Sequence, residues 1–317
     1  MSEHEIRLEQ RTTADAKKRF PSWRVWVKTS RPLSLTASVS PVLVGTAVAA
    51  YEGTFYVVPF LLALFASLFL QIGTNYFNEY FDYLYGLDHA GSLGSMTVIF
   101  RNEMTAKQVL SGGIISFALA TLLGLGLALL VGPVILLFGL VGIVIAYFYS
   151  SRPFKFASRG LGDILVYIAM GFLMTWGAYY VQIPQWSWRA FAASVPVGLL
   201  VTAILNMNNV RDYTDDLAVQ KRTLPVRFGQ RFGQIFHAVL LIGSYVTLTA
   251  FALFGVLPLF SLLVWITFPL AWSNVRAVLT ATERRAFIIG IKRTALLHLQ
   301  FGAVLALAIV VAMIHLP

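Results

Sequence analysis

The chain has 317 residues, of which 58% are hydrophobic and only 12% are charged, and its mean hydropathy is +0.74. Because charged residues make up about a quarter of a typical soluble domain, this composition excludes a water-soluble enzyme, a disordered chain and a nucleic-acid-binding module. The chain has no cysteine, which excludes disulfides, zinc–thiolate sites and a thiol nucleophile.

The first 31 residues form a polar region that we predict to be a cytoplasmic tail followed by an interfacial helix. Residues 1–19 lack the apolar core of a signal peptide and are expected to be frayed. The residues that follow show helical spacing of both apolar and basic side chains: Trp23, Trp26 and Val27, with Arg24 and Lys28. This pattern is typical of a short helix lying in the lipid headgroup layer, and an aromatic anchor for the first span is the alternative.

Seven windows without Asp, Glu, Lys or Arg follow, and they cover residues 32–51, 53–78, 108–151, 164–188, 190–210, 232–275 and 294–317. A spanning helix needs about 20 apolar residues. The two longest windows are about twice that length and are interrupted at Gly132-Pro133 and between Gly255 and Pro258. We therefore predict an all-α membrane protein, in which residues 32–317 form a single polytopic domain of nine transmembrane helices around a central cavity.

Basic residues are concentrated on one side of these nine predicted spans. The amino-terminal segment and the loops on its side contain 23 of the 24 Lys and Arg residues, and Arg189 falls on the other side. Because cytoplasmic loops carry the excess of Lys and Arg, we predict a cytoplasmic amino terminus and a carboxyl terminus outside. A multi-pass protein of the cell's inner (plasma) membrane is expected.

Carboxylates and amides cluster at the cytoplasmic ends of the second and sixth predicted spans. Each cluster has i, i+3, i+7 spacing, in Asn75, Asn78 and Asp82 and in Asn209, Asp212 and Asp216. Residues at this spacing share one face of a helix. Carboxylates at the end of a membrane helix are costly unless they are paired or bound to a metal, so both clusters are candidate functional sites.

Two facing acidic clusters need cations, and the ligand types indicate magnesium. Mg²⁺ prefers carboxylate oxygens together with substrate phosphate oxygens. Basic residues in neighbouring loops could donate hydrogen bonds to a diphosphate, and they are Lys155, Arg159, Lys221 and Arg222. The alternative, that these basic residues only enforce topology, leaves the acidic clusters unexplained.

The residues around both clusters resemble the UbiA superfamily of intramembrane aromatic prenyltransferases. The first cluster is similar to the family's Asn-Asp-x-x-Asp motif and the second to its Asp-x-x-x-Asp motif. Three stretches resemble in particular the branch that prenylates 1,4-dihydroxy-2-naphthoate in menaquinone biosynthesis: Asn208 to Gly229, Arg31-Pro32 with Ser40 to Gly45, and Arg159 to Asp163.

This resemblance implies Mg²⁺-dependent transfer of a polyprenyl group from a polyprenyl diphosphate to an aromatic acid. The distribution of Lys and Arg predicts that the site faces the cytoplasm. The implied catalytic residues are Asp82, Asp88, Asp212, Asp216 and Lys155. The implied substrate-binding residues are Asn75, Asn78, Tyr149, Arg159, Asn209, Arg211, Lys221 and Arg222. The implied metal ligands are Asn78, Glu79, Asp82, Asp212 and Asp216. Tyr149, together with Tyr76, Tyr80 and Tyr147, is a candidate wall for the allylic cation.

Departures from the family pattern bear on the acceptor. Glu79 stands where the family usually has Asp, so the charge is kept on a longer side chain. Tyr83 and Gly86 occupy positions that carry Arg and Asp in the 4-hydroxybenzoate branch, and the next carboxylate is Asp88. This arrangement favours the naphthoate acceptor over 4-hydroxybenzoate.

Alternatives remain at two levels. Homogentisate or another phenolic acid is the rival acceptor. A secondary transporter is the rival class of protein, although its ionisable residues would be expected near the bilayer midplane rather than at helix ends. Besides the substrates, the only partner that we expect is the lipid bilayer, with no nucleic acid and no obligate protein partner.

Overall fold

The computed structural model of the protein describes residues 21–86 and 98–314, and every regular element within these ranges is helical. The α-helices are α1 (Trp23–Thr29), α2 (Thr36–Tyr51), α3 (Val57–Leu84), α4 (Ala106–Val131), α5 (Ile135–Phe148), α6 (Gly162–Val166), α7 (Met174–Tyr180), α8 (Trp188–Arg211), α9 (Tyr213–Ala218), α10 (Leu224–Phe228), α11 (Gln230–Leu253), α12 (Phe268–Thr280) and α13 (Arg284–Ile314). The 3₁₀ segments are Pro32–Leu35, Phe156–Arg159 and Leu259–Thr267, and a π-helical stretch at Tyr167–Leu173 joins α6 to α7. The predicted tail and the predicted catalytic residue Asp88 lie outside the described ranges.

Eight helical segments in the described part of the chain are long and apolar enough to cross a membrane: Pro32–Tyr51, Val57–Leu84, Ala106–Val131, Gly162–Tyr180, Trp188–Arg211, Gln230–Leu253, Leu259–Thr280 and Arg284–Ile314. The prediction of nine full-length spans differs from this at the fourth, which corresponds to α5 with only 14 residues. A helix of that length extends about 21 Å, less than the roughly 30 Å of a hydrocarbon core. The short length of α5 has a local reason. Helix α4 continues to Val131 and is ended by Gly132, which has φ of 99°, and by Pro133.

The helix expected in residues 20–31 is present as α1, and it packs against the ends of α3 and α4. The Tyr76 hydroxyl donates to the Trp26 carbonyl at 2.9 Å, and Lys28 forms an ion pair with Glu103 at 2.7 Å. Trp23 and Val27 are exposed on the other face. Trp26 therefore contributes to packing within the protein, while the location of α1 in a headgroup layer stays a prediction.

Two helices form the centre of the bundle. The most apolar window of α8 is 78% buried and that of the segment containing α2 is 61% buried, against 17% for α3. The largest buried apolar cluster joins these helices to α7, α11 and α13, and it includes Tyr179, Leu200, Tyr245 and Phe301. The outer helices α3 and α4 expose apolar side chains, as expected of surfaces that face lipid.

The two ends of the helix bundle carry different polar contacts. At one end Glu52 pairs with Arg189 at 3.2 Å and accepts a hydrogen bond from the Tyr179 hydroxyl at 2.5 Å. Arg189 is the basic residue that the sequence places apart from all the others, and its charge is thus neutralised. The starts of α2 and α13 and the ends of α3 and α8 lie at the opposite end, where the acidic clusters are located.

The π-helical stretch lies directly against α8. A Cβ atom built on Gly171 would lie 2.4 Å from the Cα of Gly198, so the two backbones touch. A π-helical turn inserts an extra residue into a helix and is frequently found at functional sites. Here it belongs to the segment that presents Val166, Ala169 and Met170 to an internal cavity.

Candidate active site

A cavity of about 440 Å³ lies between α2, α3, α5, the segment from α6 to α7, α8 and α13. Its polar part is formed by side chains at helix ends. Its apolar part extends among side chains that include Leu70, Ile145, Val166, Met170 and Leu205. The cavity therefore has a charged end that continues into an apolar interior. This combination suits a ligand with one highly polar and one long apolar part.

The last turns of α3 bring the first cluster to the cavity. Asn75, Asn78 and Asp82 all line it, as their shared helical face predicts. The Asn75 amide donates to the Ser30 carbonyl at 2.8 Å and to the Ser34 hydroxyl at 2.9 Å. The Asn78 side-chain oxygen accepts a hydrogen bond from the Ser150 hydroxyl at 2.7 Å, which ties α3 to the loop after α5.

The second cluster spans a helix break rather than one continuous helix. Helix α8 ends at Arg211 and α9 begins at Tyr213, with Asp212 between them. The Asp216 amide still donates to the Asp212 carbonyl at 2.8 Å, so the four-residue spacing keeps both carboxylates together. Both of them line the cavity, as does Asn209.

Cationic side chains neutralise the second cluster. Arg211 forms a bidentate pair with Asp212, with N–O distances of 2.8 and 2.6 Å. Lys221 lies 3.3 Å from Asp216, and Arg284 pairs with Asp215 and, at 3.4 Å, with Asp212. This end of the cavity alternates fixed positive and negative charges, as a site for a metal-bound diphosphate requires.

The titration of these groups follows from their surroundings. Burial lowers the pKa of Lys221, but Asp216, Asp82 and Asp212 outweigh this effect, so the pKa is raised above its usual value and the ammonium stays charged. Burial raises the pKa of Asp216, against the opposing effect of Lys221. For Lys155, burial and then the charge of Arg152 lower the pKa.

The structure brings together most of the predicted site residues. Of fourteen, nine line the cavity: Asn75, Asn78, Asp82, Tyr149, Asn209, Arg211, Asp212, Asp216 and Lys221. They come from α3, from the residue after α5 and from the region between α8 and α10. Their convergence supports the interpretation that both acidic clusters belong to one site.

Four described residues of the predicted set do not line the cavity, and each has another contact. Glu79 is fully buried, and its carboxylate accepts the Val98 amide at 2.7 Å. Lys155 stacks on the Tyr85 ring, with 3.4 Å between the ammonium and the ring centroid. The Glu79 carboxylate therefore holds the backbone at Val98. Lys155 lies beside the cavity rather than in its wall.

The guanidinium groups of Arg159 and Arg222 are exposed outside the cavity. Arg159 donates to the Pro153 carbonyl at 3.0 Å. Arg227 donates to the carbonyl oxygens of both Arg159, at 2.5 Å, and Arg222, at 3.2 Å. Long-range contacts to the backbone thus fix these two loops to each other, an arrangement that spacing in the sequence does not reveal.

Of the four tyrosines proposed to face an allylic cation, Tyr149 lines the cavity. Tyr76 is buried against Trp26, and Tyr80 packs in the same apolar cluster. Tyr147 is partly exposed and packs edge-on against Phe77 and Phe81. The prediction is wrong for these three residues because their helical faces are used for packing.

Several residues at the polar end of the cavity were not predicted from the sequence. Arg31 and Asp215 line the cavity, and Arg284 stands behind the carboxylates. Arg284 could be read from the sequence only as one of many basic residues in cytoplasmic loops. Its partner lies 69 positions away, so no local spacing signals the contact.

The donor set at this end fits Mg²⁺ that is shared with a substrate. Within residues 21–86 and 98–314, no group of three or more His, Asp or Glu side chains is close enough to hold a metal ion alone. Mg²⁺ is commonly bound by one or two carboxylates while phosphate oxygens and water complete its octahedron. Asp82 on α3, with Asp212 and Asp216 opposite, suits such a bridging role better than a closed protein cage.

The fold and the cavity define a helical membrane protein with an internal cavity that is charged at one end and apolar in its interior. The model of the UbiA prenyltransferase family matches residues 38–289, so the chain belongs to this family and is a prenyltransferase. Family membership excludes the transporter alternative. The Asp-rich motifs of both clusters lie within the matched range.

Relatives of known activity cover nearly the whole chain. The 1,4-dihydroxy-2-naphthoate octaprenyltransferase of Bacillus subtilis is 30% identical over 89% of this chain and 91% of its own. The enzyme of the same name from Escherichia coli is 32% identical over 86% and 90%. A UbiA homologue from Archaeoglobus fulgidus, solved bound to GPP and Mg²⁺, has the same fold, with a TM-score of 0.61 and 16% identity over 89% of this chain and 99% of its own.

Proposed function

We propose that the protein transfers a polyprenyl group from a polyprenyl diphosphate to 1,4-dihydroxy-2-naphthoate, with Mg²⁺ as cofactor, in the biosynthesis of menaquinone. The observation that carries the proposal is the cavity itself, which joins two acidic motifs to an apolar interior. Two relatives that are named for this activity and cover most of the chain support the choice of acceptor. Homogentisate is the rival acceptor within the same reaction class.

The polar end is suited to hold the diphosphate. Asn78, Asp82, Asp212 and Asp216 would hold Mg²⁺ together with diphosphate oxygens, and Glu79 is a more distant candidate because its carboxylate is committed to Val98. The bound metal would neutralise the charge that develops on the leaving group. A relative of the same fold solved with GPP and Mg²⁺ is consistent with this cofactor.

Side chains of the protein have the remaining roles in substrate binding and in stabilising the allylic cation. Arg211 and Lys221 donate charge-assisted hydrogen bonds to the diphosphate, while Asn75 and Asn209 orient it. Arg159 and Arg222 are assigned to substrate binding from the loops beside the cavity, and Lys155 to catalysis. Asp88, which lies outside the described residues, is kept as a further proposed catalytic residue. Tyr149 presents its ring to the allylic cation. The apolar walls hold the isoprenoid and keep water from the cation.

The proposed reaction balances without an external oxidant or base. The allylic C–O bond breaks, and its electron pair leaves on the diphosphate. The ring carbon that carries the acceptor's carboxylate forms the new C–C bond to the allylic carbon. The carboxylate then departs as CO₂, and its electron pair restores the aromatic ring.

We place the site at the cytoplasmic face of the inner membrane. The proposed topology has nine spans, with α5 as a short fourth span, a cytoplasmic amino terminus and an external carboxyl terminus. The distribution of 23 of the 24 basic residues supports this orientation. Residues 32–317 act as one polytopic domain in this topology.

A competition assay tests the proposal. The purified protein in lipid nanodiscs is given one polyprenyl diphosphate, Mg²⁺, and equal concentrations of 1,4-dihydroxy-2-naphthoate, homogentisate and 4-hydroxybenzoate. We expect the naphthoate to be prenylated fastest, with CO₂ released from a carboxyl-labelled acceptor. Faster prenylation of either other acid would refute the assigned acceptor while leaving the family membership intact.

A further inference from the structure

We propose that Arg284 is a positioning residue for the diphosphate site, acting through Asp212 and Asp215. The inference rests on the proposed function and adds to it a residue outside both acidic motifs. Arg284 is the first residue of α13, and its side chain reaches the carboxylates that line the cavity without lining the cavity itself.

An apolar cluster fixes the distance between α13 and the second acidic motif. Phe287 and Ile291, one and two turns after Arg284, are buried in a cluster with Met207, Val210 and Val278. Val210 lies two residues before Asp212. The packed side chains therefore set the relative position of the two backbones so that the guanidinium of Arg284 meets the carboxylates.

The orientation of Arg284 is determined by these carboxylates. Its two terminal nitrogens contact both oxygens of Asp215, and one of them lies 3.4 Å from Asp212. The Nε atom is buried and has no hydrogen-bond partner among the residues that the structure describes. A positive charge at the amino-terminal end of a helix is also unfavourable. The guanidinium keeps its contacts with both carboxylates at a position where a positive charge is otherwise disfavoured.

The consequence concerns the two carboxylates that face the ligand. Asp212 is held by Arg211 from its own helix end and by Arg284 from α13, so its position is restrained from two directions. Asp215 lies in the first turn of the short helix α9, which also carries Asp216. Preorganised carboxylates bind a metal-bridged diphosphate more tightly because no ordering has to accompany binding.

The neighbouring Arg285 provides a matched control. It carries the same charge one position along the chain, but its side chain is exposed and lies outside the carboxylate contacts. Arg284→Gln and Arg285→Gln therefore change the net charge and the composition of the first turn of α13 equally. Only the first removes the contacts with Asp212 and Asp215.

The first test needs neither metal nor substrate. Hydrogen–deuterium exchange of the full chain in nanodiscs is followed in a peptide covering α9. We expect Arg284→Gln to raise the exchange rate there roughly tenfold, as expected when a charge-assisted hydrogen bond is lost, while Arg285→Gln leaves it unchanged. Equal exchange in both variants would overturn the positioning role.

The second test separates binding from chemistry. The KM for the polyprenyl diphosphate, at limiting Mg²⁺, should rise roughly tenfold in Arg284→Gln, with a smaller loss of kcat, and Arg284→Lys should recover part of the affinity. Asp215→Asn should produce a similar rise, and the double variant should be no worse than either single one. Additive effects of the two substitutions on KM, or an unchanged KM, would contradict the proposal. If Arg284→Gln folds poorly, the KM values of Arg284→Lys and Asp215→Asn still provide the test.

Failure of the inference can be distinguished from failure of the proposed function. If the unmodified protein prenylates no aromatic acid, the proposed function fails, whereas the exchange measurement on α9 still decides the role of Arg284. If the unmodified protein is active and Arg284→Gln has an unchanged KM and unchanged exchange, only the inference fails.

Discussion

At the scale of single residues, the site depends on negatively charged side chains that face one another across the cavity. Asp82 approaches from α3, and Asp212 approaches from the junction of α8 and α9. Negative side chains brought together at a membrane helix end require compensating cations. Arg211, Lys221 and Arg284 supply part of this compensation within the protein.

Removing either charge should abolish turnover. We expect Asp82→Asn and Asp212→Asn each to lower kcat/KM by roughly 100-fold or more, because metal and diphosphate binding are weakened together. EDTA should have the same effect on the unmodified protein. Product formation measured by chromatography, with melting curves to verify folding, checks the prediction.

The exposed residue Glu283 offers the control, since Glu283→Gln removes a carboxylate that precedes α13 and does not line the cavity. This variant should retain activity. Full turnover by Asp82→Asn or in the presence of EDTA would contradict the metal assignment.

The pH dependence should distinguish the two lysines. The pKa of Lys155 is lowered, so its ammonium loses the proton at a lower pH than an ordinary lysine, whereas the raised pKa of Lys221 keeps that residue charged. If Lys155 binds the diphosphate, kcat/KM should fall on the alkaline side as Lys155 becomes neutral. In Lys155→Arg this fall should move to higher pH because arginine stays protonated. An alkaline limb that is identical in the variant would exclude Lys155 as its origin.

At the scale of elements, close backbone contact shapes the cavity wall. The π-helical stretch and α8 meet at Gly171 and Gly198, where neither helix carries a side chain between them. The contact allows Val166, Ala169 and Met170 to line the cavity next to Val201 and Leu205 of α8. Small residues permit such approaches between membrane helices.

Filling this contact should destabilise the protein. In Gly171→Ala the new Cβ would lie 2.4 Å from the Cα of Gly198, and a backbone atom cannot move aside as a side chain can. We expect a loss of about 1–3 kcal/mol in the free energy of unfolding, together with reduced activity. Thermal unfolding in detergent measures the first effect.

Gly124→Ala is the matched control, because nothing lies within 4 Å of its Cβ position on α4. That substitution should be neutral or slightly stabilising, since alanine favours a helix by about 1 kcal/mol over glycine. Equal unfolding temperatures for both variants would show that the contact between Gly171 and Gly198 does not limit packing.

At the scale of the whole molecule, the two ends of the bundle differ in chemistry. One end gathers the acidic motifs and their cationic partners, and the other end pairs Glu52 with Arg189. The substrate that carries the diphosphate is expected to enter from the first end. In the proposed function, the apolar walls of the cavity would hold the isoprenoid.

The absence of cysteine allows a direct test of orientation. A cysteine at exposed Ala218, after the second acidic cluster, should react with a membrane-impermeant maleimide only once cells are opened. A cysteine at exposed Gln185, in the turn between α7 and α8, should react in intact cells. The reverse pattern would invert the topology and move the active site to the outer face.

Properties that depend on neighbours along the chain could be predicted from the sequence. Apolar windows and their Gly-Pro breaks predicted the eight helices of spanning length in the described residues, because helix length and helix breaking are local. The remaining predicted span, the fourth in chain order, corresponds to the shorter helix α5. The faces of α3 and of the α8–α9 junction followed from four-residue spacing, and Asp82 and Asp212 both line the cavity as a result.

Features that depend on distant partners were decided only by the tertiary structure. The contact of Arg284 with Asp215 joins residues 69 positions apart, and Glu79 turns to the Val98 amide although it follows directly after Asn78. Arg227 joins the loops of Arg159 and Arg222 through their backbone carbonyls, and both residues lie outside the cavity wall. The side chain of a polar residue takes the direction in which a partner is available, and packing between helices, rather than spacing along one helix, determines where that partner lies.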